Sequence, residues 1–375
     1  MSNTPLLDAI RTHSGNDLPA ADYRGAATAS RFADPQQEFA ALTTACGIYD
    51  LGFRARLSLT GGDRTRWLNG MVTNNIRDLA VGHGVYAFLL NPQGRILGDM
   101  YAYNQGESIT IETDRSQVEK ILATFDHYII MDDVEVTDVS DQQTALGLAG
   151  PRARAILNLA GIEVPNLQPL QMIAPHCNCD CGCVECTVIR GEDGPHESDS
   201  YEIWLAPKDV YKTWQTLIAA GATPVGSEAL EIQRIVAGVP LYGVDIHERD
   251  LPQETEQMRA LNFNKGCYVG QEIVERIRSR GNVHRKFTGF VAEGATTIVA
   301  GDKIVFDEKE VGEITSVAIL GAASAERTVA LGYIRREIGV PGREVTIGTS
   351  KATVTQLPLE NLALARAEDS LLQQI

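Results

Sequence analysis

The chain has 375 residues, 44% of them hydrophobic and 22% charged, with a formal net charge of -16. That length exceeds one hydrophobic core and calls for two or three domains. The acid excess argues against general affinity for the nucleic-acid backbone, and no apolar run approaches the roughly 20 residues of a membrane span. The seven cysteines, an odd number without a secretory leader pattern, argue against a disulfide framework. Asp8, Asp17 and Asp22 argue against a transit peptide, so a cytoplasmic location is expected.

Thr4-Pro5 reads as the cap and first turn of a helix carrying Leu6, Leu7 and Ile10. A polar, Ala/Gly-rich linker is expected to about residue 33. Asp34-Pro35 then opens a second helix with Phe39 and Leu42 on one face. Phe53–Thr60 alternates apolar and polar residues, the pattern of a half-buried strand. Gly61-Gly62 turns the chain, and Asp63 caps a helix through Trp67 and Leu68. Val85–Leu90 and Ile96–Tyr103 form a predicted hairpin about Asn91-Pro92-Gln93-Gly94, with proline and glycine in positions that suit a tight turn. Strand 108–112, helix 115–127 and strand 134–139 follow. A second set runs through strand 144–149, helix 151–160, strand 201–205 and helices 207–220 and 227–238. The pattern predicts two α+β units with antiparallel sheets, divided near residue 142. Short strands between Gly, Pro and Asp fill the rest and predict a small β-barrel or sandwich. The expected domains are 1–34, 35–285 and 286–375.

Lys265-Gly-Cys-Tyr-Val-Gly-Gln-Glu272 fits no ordinary core element. Its glycines allow unusual backbone angles and close approach. Cys267 stands beside Lys265 and before a short helix, where a thiol can become reactive, although a small buried cysteine in a glycine turn has the same pattern. Residues 276–286 carry Arg276, Arg278, Arg280, Arg285 and Lys286 with no acid, which suits either a solvated helix face or an anion site. Cys177, Cys179, Cys181, Cys183 and Cys186 lie in an expected insertion over 175–199. Alternating thiols can hold a soft metal or an iron–sulfur cluster, although only Cys183 and Cys186 have the two-residue gap of a zinc pair.

The Lys265–Glu272 motif with Arg276 resembles the signature of the YgfZ-type folate-binding proteins. These are relatives of the glycine-cleavage T-protein that take part in iron–sulfur cluster assembly or repair. Val239-Pro-Leu-Tyr-Gly-Val-Asp245, Leu251-Pro-Gln-Glu254, Asn91-Pro-Gln-Gly-Arg95 with Asp99, and Gly150-Pro-Arg-Ala153 are similar to further family segments. The resemblance implies an α+β, three-part cloverleaf, with two ferredoxin-like units and a C-terminal β-barrel. It implies tetrahydrofolate or a one-carbon derivative as cofactor, and iron–sulfur proteins or assembly factors as partners. Glu202 would take the pterin; Arg234, Lys265, Tyr268, Gln271 and Arg276 would join the folate site. Cys267 would be a functional thiol, with nucleophile, transient cluster ligand and redox-sensitive group all open to it. T-proteins carry two adjacent aspartates where this chain has Gly98-Asp99, and a glycine in place of Arg95. Two other functions stand beside this expectation: a folate-dependent aminomethyltransferase using Asp99, and a metal-binding or carrier protein using Cys177–Cys186.

Overall fold

A computed structural model of the chain describes residues 2–15, 18–175, 184–192, 199–281, 283–294, 296–321 and 326–359. The chain forms two compact units. Unit 1 comprises Met1–Leu90, Leu97–Leu230 and Arg259–Val269; unit 2 comprises Asn91–Ile96, Glu231–Met258 and Gly270–Ile375.

Unit 1 opens with α1 (Pro5–Ser14), where the Thr4 hydroxyl caps the helix by accepting the Leu7 N–H at 3.3 Å. The stretch expected to be a linker folds instead as a hairpin of β1 (Ala20–Tyr23) and β2 (Ala26–Ala29). Its small residues carry little strand signal. The pairing is fixed from outside, by a bridge from Asn3 to Ala27 and a 3.1 Å bond from the Thr28 hydroxyl to buried Asp50. The Asp34 carboxylate caps α2 (Pro35–Thr44) through the Gln36 and Gln37 N–H groups. There follow β3 (Gly47–Asp50), β4 (Arg54–Thr60), α3 (Arg64–Met71), β5 (His83–Leu90), β6 (Ile96–Asn104), β7 (Ile109–Asp114), α4 (Val118–Tyr128) and β8 (Glu135–Asp138). Next come β9 (Thr144–Ala149), α5 (Ala153–Leu159), β10 (Met172–Ile173), β11 (Cys186–Arg190), β12 (Ser200–Leu205), α6 (Val210–Ala219), β13 (Thr223–Val225) and α7 (Ser227–Ala237).

These strands make a five-stranded sheet, β5-β6-β7-β4-β8, and a six-stranded sheet, β10-β11-β12-β9-β3-β13. The sheets do not follow chain order. β3 lies between β9 and β13, so a strand from before residue 142 completes the sheet built after it. One face of each sheet is apolar and covered by helices. Leu57, Leu59, Ile109 and Ile111 pack with Trp67 and Leu68 of α3 and Ile121 and Phe125 of α4. Ile48, Leu146, Leu148, Ile203 and Leu205 pack with Leu6, Ile156, Leu157, Trp214 and Leu217. Each such aliphatic burial contributes roughly 1.5–3 kcal/mol, so these outer layers supply the hydrophobic stabilisation.

The opposite faces carry the other half of each alternation: Arg54 and Arg56 on β4, Glu112 and Asp114 on β7, Glu202 and Trp204 on β12. They are not solvated. Arg56 and Glu112 are 0% exposed, and Phe53, Tyr103, Ala145, Ile189 and Trp204 pack into one cluster drawn from both sheets. β4, expected to be half-buried, is therefore covered on both faces, one of them polar.

Unit 2 contains α8 (Gln271–Arg280) and a closed barrel, β14-β17-β16-β15-β18-β19. Its strands are β14 (Arg285–Glu293), β15 (Lys303–Phe306), β16 (Lys309–Leu320), β17 (Arg327–Arg335), β18 (Glu344–Ile347) and β19 (Ser350–Thr355). Phe290, Ile304, Ile314, Ile334, Val345, Ile347 and Val354 fill it, and closure leaves no sheet edge to protect. In the Asn91–Gly94 turn, Gly94 has φ +71°, and a Cβ there would lie 2.8 Å from the Ile273 side chain. Glycine is required on both counts. Among the described residues no helix is long and apolar enough to cross a membrane.

Candidate functional site

The inner face of unit 1 is organised around Glu112. Its carboxylate accepts from Arg56 Nη2 at 2.8 Å and from Arg54 Nη2 at 3.2 Å. Arg54 also donates to Asp114 at 3.2 Å, which leaves Glu112 as the acceptor for Arg56. The Arg56 guanidinium stacks 4.4 Å from the Trp204 ring centroid, while its Nε and Nη1 have no hydrogen-bond acceptor among the described residues. A fully buried guanidinium with two nitrogens lacking an acceptor is an unusual arrangement.

Glu202 enters from the other sheet. Trp204 Nε1 donates to its Oε2 at 2.9 Å. Burial and the nearby charge of Glu112 push its carboxyl up to about 7, against the pull of Arg54, Trp204 and Arg56. Glu202 can therefore hold or release a proton near neutral pH. Its Oε1 accepts no hydrogen bond from a described residue, so this oxygen remains available to a donor.

Asp99, on β6, is held by two neutral donors. Tyr86 Oη donates to it at 2.6 Å and Gln117 Nε2 at 2.7 Å. The Asp99 N–H in turn donates to Gln117 Oε1 at 3.0 Å, so side chain and backbone are clamped by one amide. Burial, then the charge of Asp114, raises its carboxyl above the ordinary range. Arg54 interacts electrostatically with both Glu202 and Asp99, and so ties the two sequence-predicted carboxylates to one face.

The segment after residue 258 supplies the rim. Thr73 Oγ1 donates to the Ala260 carbonyl at 2.6 Å, and Asn74 Nδ2 donates to the carbonyls of Tyr86 and Arg259 at 2.8 Å each. Arg259 thus sits beside β5, with its guanidinium 4.3 Å from the Tyr86 ring centroid. Lys265 belongs to this stitching. Its buried ammonium donates to the carbonyls of Asn69, Val72 and Asn74 at 2.6, 2.6 and 2.7 Å. Burial pushes Lys265 down to about 7, whereas three acceptors arranged for three N–H donors favour the ammonium. Its donors face the backbone, so the structure gives it a holding role where the resemblance implied a folate contact.

Tyr268 is buried with its ring centroid 5.0 Å from Lys265 Nζ, and Cys267 between them is exposed, not a buried turn cysteine. Within unit 2, Arg234 is buried and donates to Asp245 Oδ2 and Ser316 Oγ at 2.6 and 2.7 Å, besides pairing with Glu231. Gln271 begins α8 after Gly270, whose φ is +83°. Arg276 pairs with Glu272 at 2.7 Å and Arg278 with Glu275, while Arg285 bonds Asp250 and Glu254. Three cations of the basic run, Arg276, Arg278 and Arg285, are thus paired with acids of their own unit. Cys177, Cys179, Cys181 and Cys183 lie outside the described residues. Cys186 begins β11 opposite Leu205 of β12, and among the described residues no three His, Cys, Asp or Glu side chains are placed to hold a metal. Arg54, Arg56, Tyr86, Glu112, Gln117 and Arg259 were not singled out from sequence, where no motif marks them.

A model of the GCVT N-terminal domain matches residues 12–265, more than half of the chain. The chain belongs to the glycine-cleavage T-protein family. A second family model, the glycine cleavage T-protein C-terminal barrel domain, matches residues 285–359 and coincides with the closed barrel. An aminomethyltransferase of Rubrobacter xylanophilus is 28% identical over 340 residues, 90% of this chain and 88% of the relative. One from a Nostoc species is 27% identical, covering 84% of each chain. The crystal structure of glycine cleavage system aminomethyltransferase T from Bartonella henselae superposes with a TM-score of 0.81 at 20% identity. It covers 96% of this chain and 98% of its own, which shows the T-protein fold.

Proposed function

We propose that this T-protein family member binds a tetrahydrofolate against the inner face of unit 1 and uses it in one-carbon transfer of aminomethyltransferase type. The observation that carries the reading is Glu202, a half-buried strand carboxylate with one oxygen fixed by Trp204 and the other open to a donor. A reduced pterin offers adjacent N–H donors, and a carboxylate can accept two of them. The residues present fit such a group: the half-buried Tyr101 ring offers aromatic surface beside the Arg54 guanidinium, and Arg54, Trp204 and Arg56 draw Glu202 back towards its charged form. A bound tetrahydrofolate would supply ring nitrogens that accept a one-carbon unit. Asp99, fixed by Tyr86 and Gln117 and drawn towards its protonated form, would hold or release a proton at its Oδ atoms. Relatives named aminomethyltransferase, matched over most of their length, support this use.

A second use of the same folate is favoured by Cys267. An exposed thiol in the Lys265–Glu272 motif, with only one aspartate at Gly98-Asp99, suits the YgfZ-type role in iron–sulfur cluster assembly or repair. Its partners would be iron–sulfur proteins or assembly factors.

The deciding experiment begins with calorimetric titration of tetrahydrofolate. Glu202→Ala is expected to weaken binding by tenfold or more, the order of a lost charge-assisted pair of hydrogen bonds. Absence of binding by the wild type refutes both uses. Turnover of an aminomethyl-loaded lipoyl carrier that disappears in Asp99→Asn supports the transferase. No turnover, with iron–sulfur enzyme activity lost in cells carrying Cys267→Ala, supports the second use.

A further inference from the structure

Resting on the folate reading above, we propose that Arg259 anchors a ligand carboxylate at the rim of the inner face of unit 1, the glutamate tail of a folate. Glu192 is an internal carboxylate competing for the same guanidinium. The receptor is built from two donors. Arg259 forms an ion pair with Glu192, and Tyr101 Oη donates to Glu192 Oε2 at 2.8 Å. Arg259 Nη1 also lies 3.3 Å from Tyr101 Oη, so guanidinium and phenol converge on one carboxylate. The pair is reachable: the side chains of Arg259 and Glu192 are 33% and 28% exposed, whereas Tyr86 beneath them is 5% exposed.

The receptor adjoins the functional face. The Arg259 guanidinium stacks on Tyr86, whose hydroxyl holds Asp99, and the Tyr101 ring lies 5.5 Å from the Arg54 guanidinium. The Arg259 backbone is fixed by Asn74, so the guanidinium is presented from a set position. An ion pair this exposed contributes little to stability. Its geometry matches what a flexible, carboxylate-ended ligand requires: a planar cation, a second donor and open water on one side.

The test compares tetrahydrofolate with tetrahydropterin, which lacks the aminobenzoyl-glutamate tail, by calorimetry on the full chain. Arg259→Met is expected to weaken tetrahydrofolate about tenfold and to leave tetrahydropterin unchanged. Glu192→Gln removes the competing anion and is expected to tighten tetrahydrofolate several-fold, again without effect on tetrahydropterin. A structural latch behaves otherwise. If Glu192→Gln leaves tetrahydrofolate affinity unchanged or weakens it, or if Arg259→Met weakens both ligands alike, the proposal is overturned. Binding of neither ligand by the wild type would sink the folate reading itself, and the proposal with it.

Discussion

Replacing Glu112 by Gln keeps the shape of the inner face and removes one charge. Glu112 is fully buried and is the acceptor for Arg56 Nη2, and the other two nitrogens of that guanidinium have no acceptor among the described residues. Arg54 keeps Asp114 as a partner and loses less. The variant therefore strands one buried guanidinium, and breaking a buried ion pair in this way costs about 3–5 kcal/mol. One effect acts against the full figure. The Arg56 stacking on Trp204 exists in both proteins and cancels in the difference. Relief of the repulsion that Glu112 exerts on Glu202 is a real gain. A net loss of about 2–4 kcal/mol is expected. Urea unfolding followed by tryptophan fluorescence measures it in the right place, because the three tryptophans, Trp67, Trp204 and Trp214, all lie in unit 1. A shift below about 1 kcal/mol would show that Arg56 finds another acceptor and would refute the account of this face.

Glu202 gives a pH signature. Its folded carboxyl titrates near 7, above its ordinary 4.5, so the folded state holds more protons between those values and stability falls as pH rises through that window. Glu202→Gln should abolish this local slope, with its stability gain over wild type larger at about pH 8 than at about pH 5 in paired denaturation series. Arg234→Met should destabilise unit 2 by about 3–5 kcal/mol by leaving buried Asp245 without its cation. Calorimetric melting checks it; a loss below about 1 kcal/mol would show that Thr315 and Ser316 satisfy Asp245 without the cation. Cys46 is buried and its thiol is pushed up to about 11, whereas Cys267 is exposed. Alkylation of the native protein followed by peptide mapping should therefore label Cys267 and spare Cys46 until urea unfolds unit 1.

Local chemistry made part of this fold legible. Thr4-Pro5 and Asp34-Pro35 cap the helices they predict, and the tight turn at Asn91–Gly94 joins the strands it should. The short strands beyond residue 285 close into a barrel. What sequence could not give was set at long range. The β1–β2 hairpin is mostly alanine, and its pairing depends on Asn3 and Asp50. β3 is four residues long and opens on a glycine, too short a run to announce itself as a strand. The same limit hid most of the candidate site. Alternation along β4 reveals two faces but not which is wet, and Arg54 and Arg56 read as solvent-facing until a second sheet covers them. Glu202 and Asp99 came from resemblance to known segments. Tyr86, Gln117 and Arg259 acquire meaning only through contacts with residues 13, 18 and 185 positions away.

The placement of β3 bears on how the protein is made. Gly47–Asp50 leaves the ribosome early, but its sheet neighbours are Thr144–Ala149 and Thr223–Val225. At about 5–20 residues per second, the early strand waits roughly 10–35 s for its last partner. The segment Arg259–Val269, which belongs to the same unit, arrives later still. Unit 1 therefore cannot finish folding while its first half is being translated. During that interval Ile48 and the apolar faces around it are available to chaperones and to neighbouring nascent chains. Strand order thus makes the first 269 residues a single obligation of synthesis, and a message truncated between residues 142 and 223 would yield an unpaired edge rather than a smaller domain.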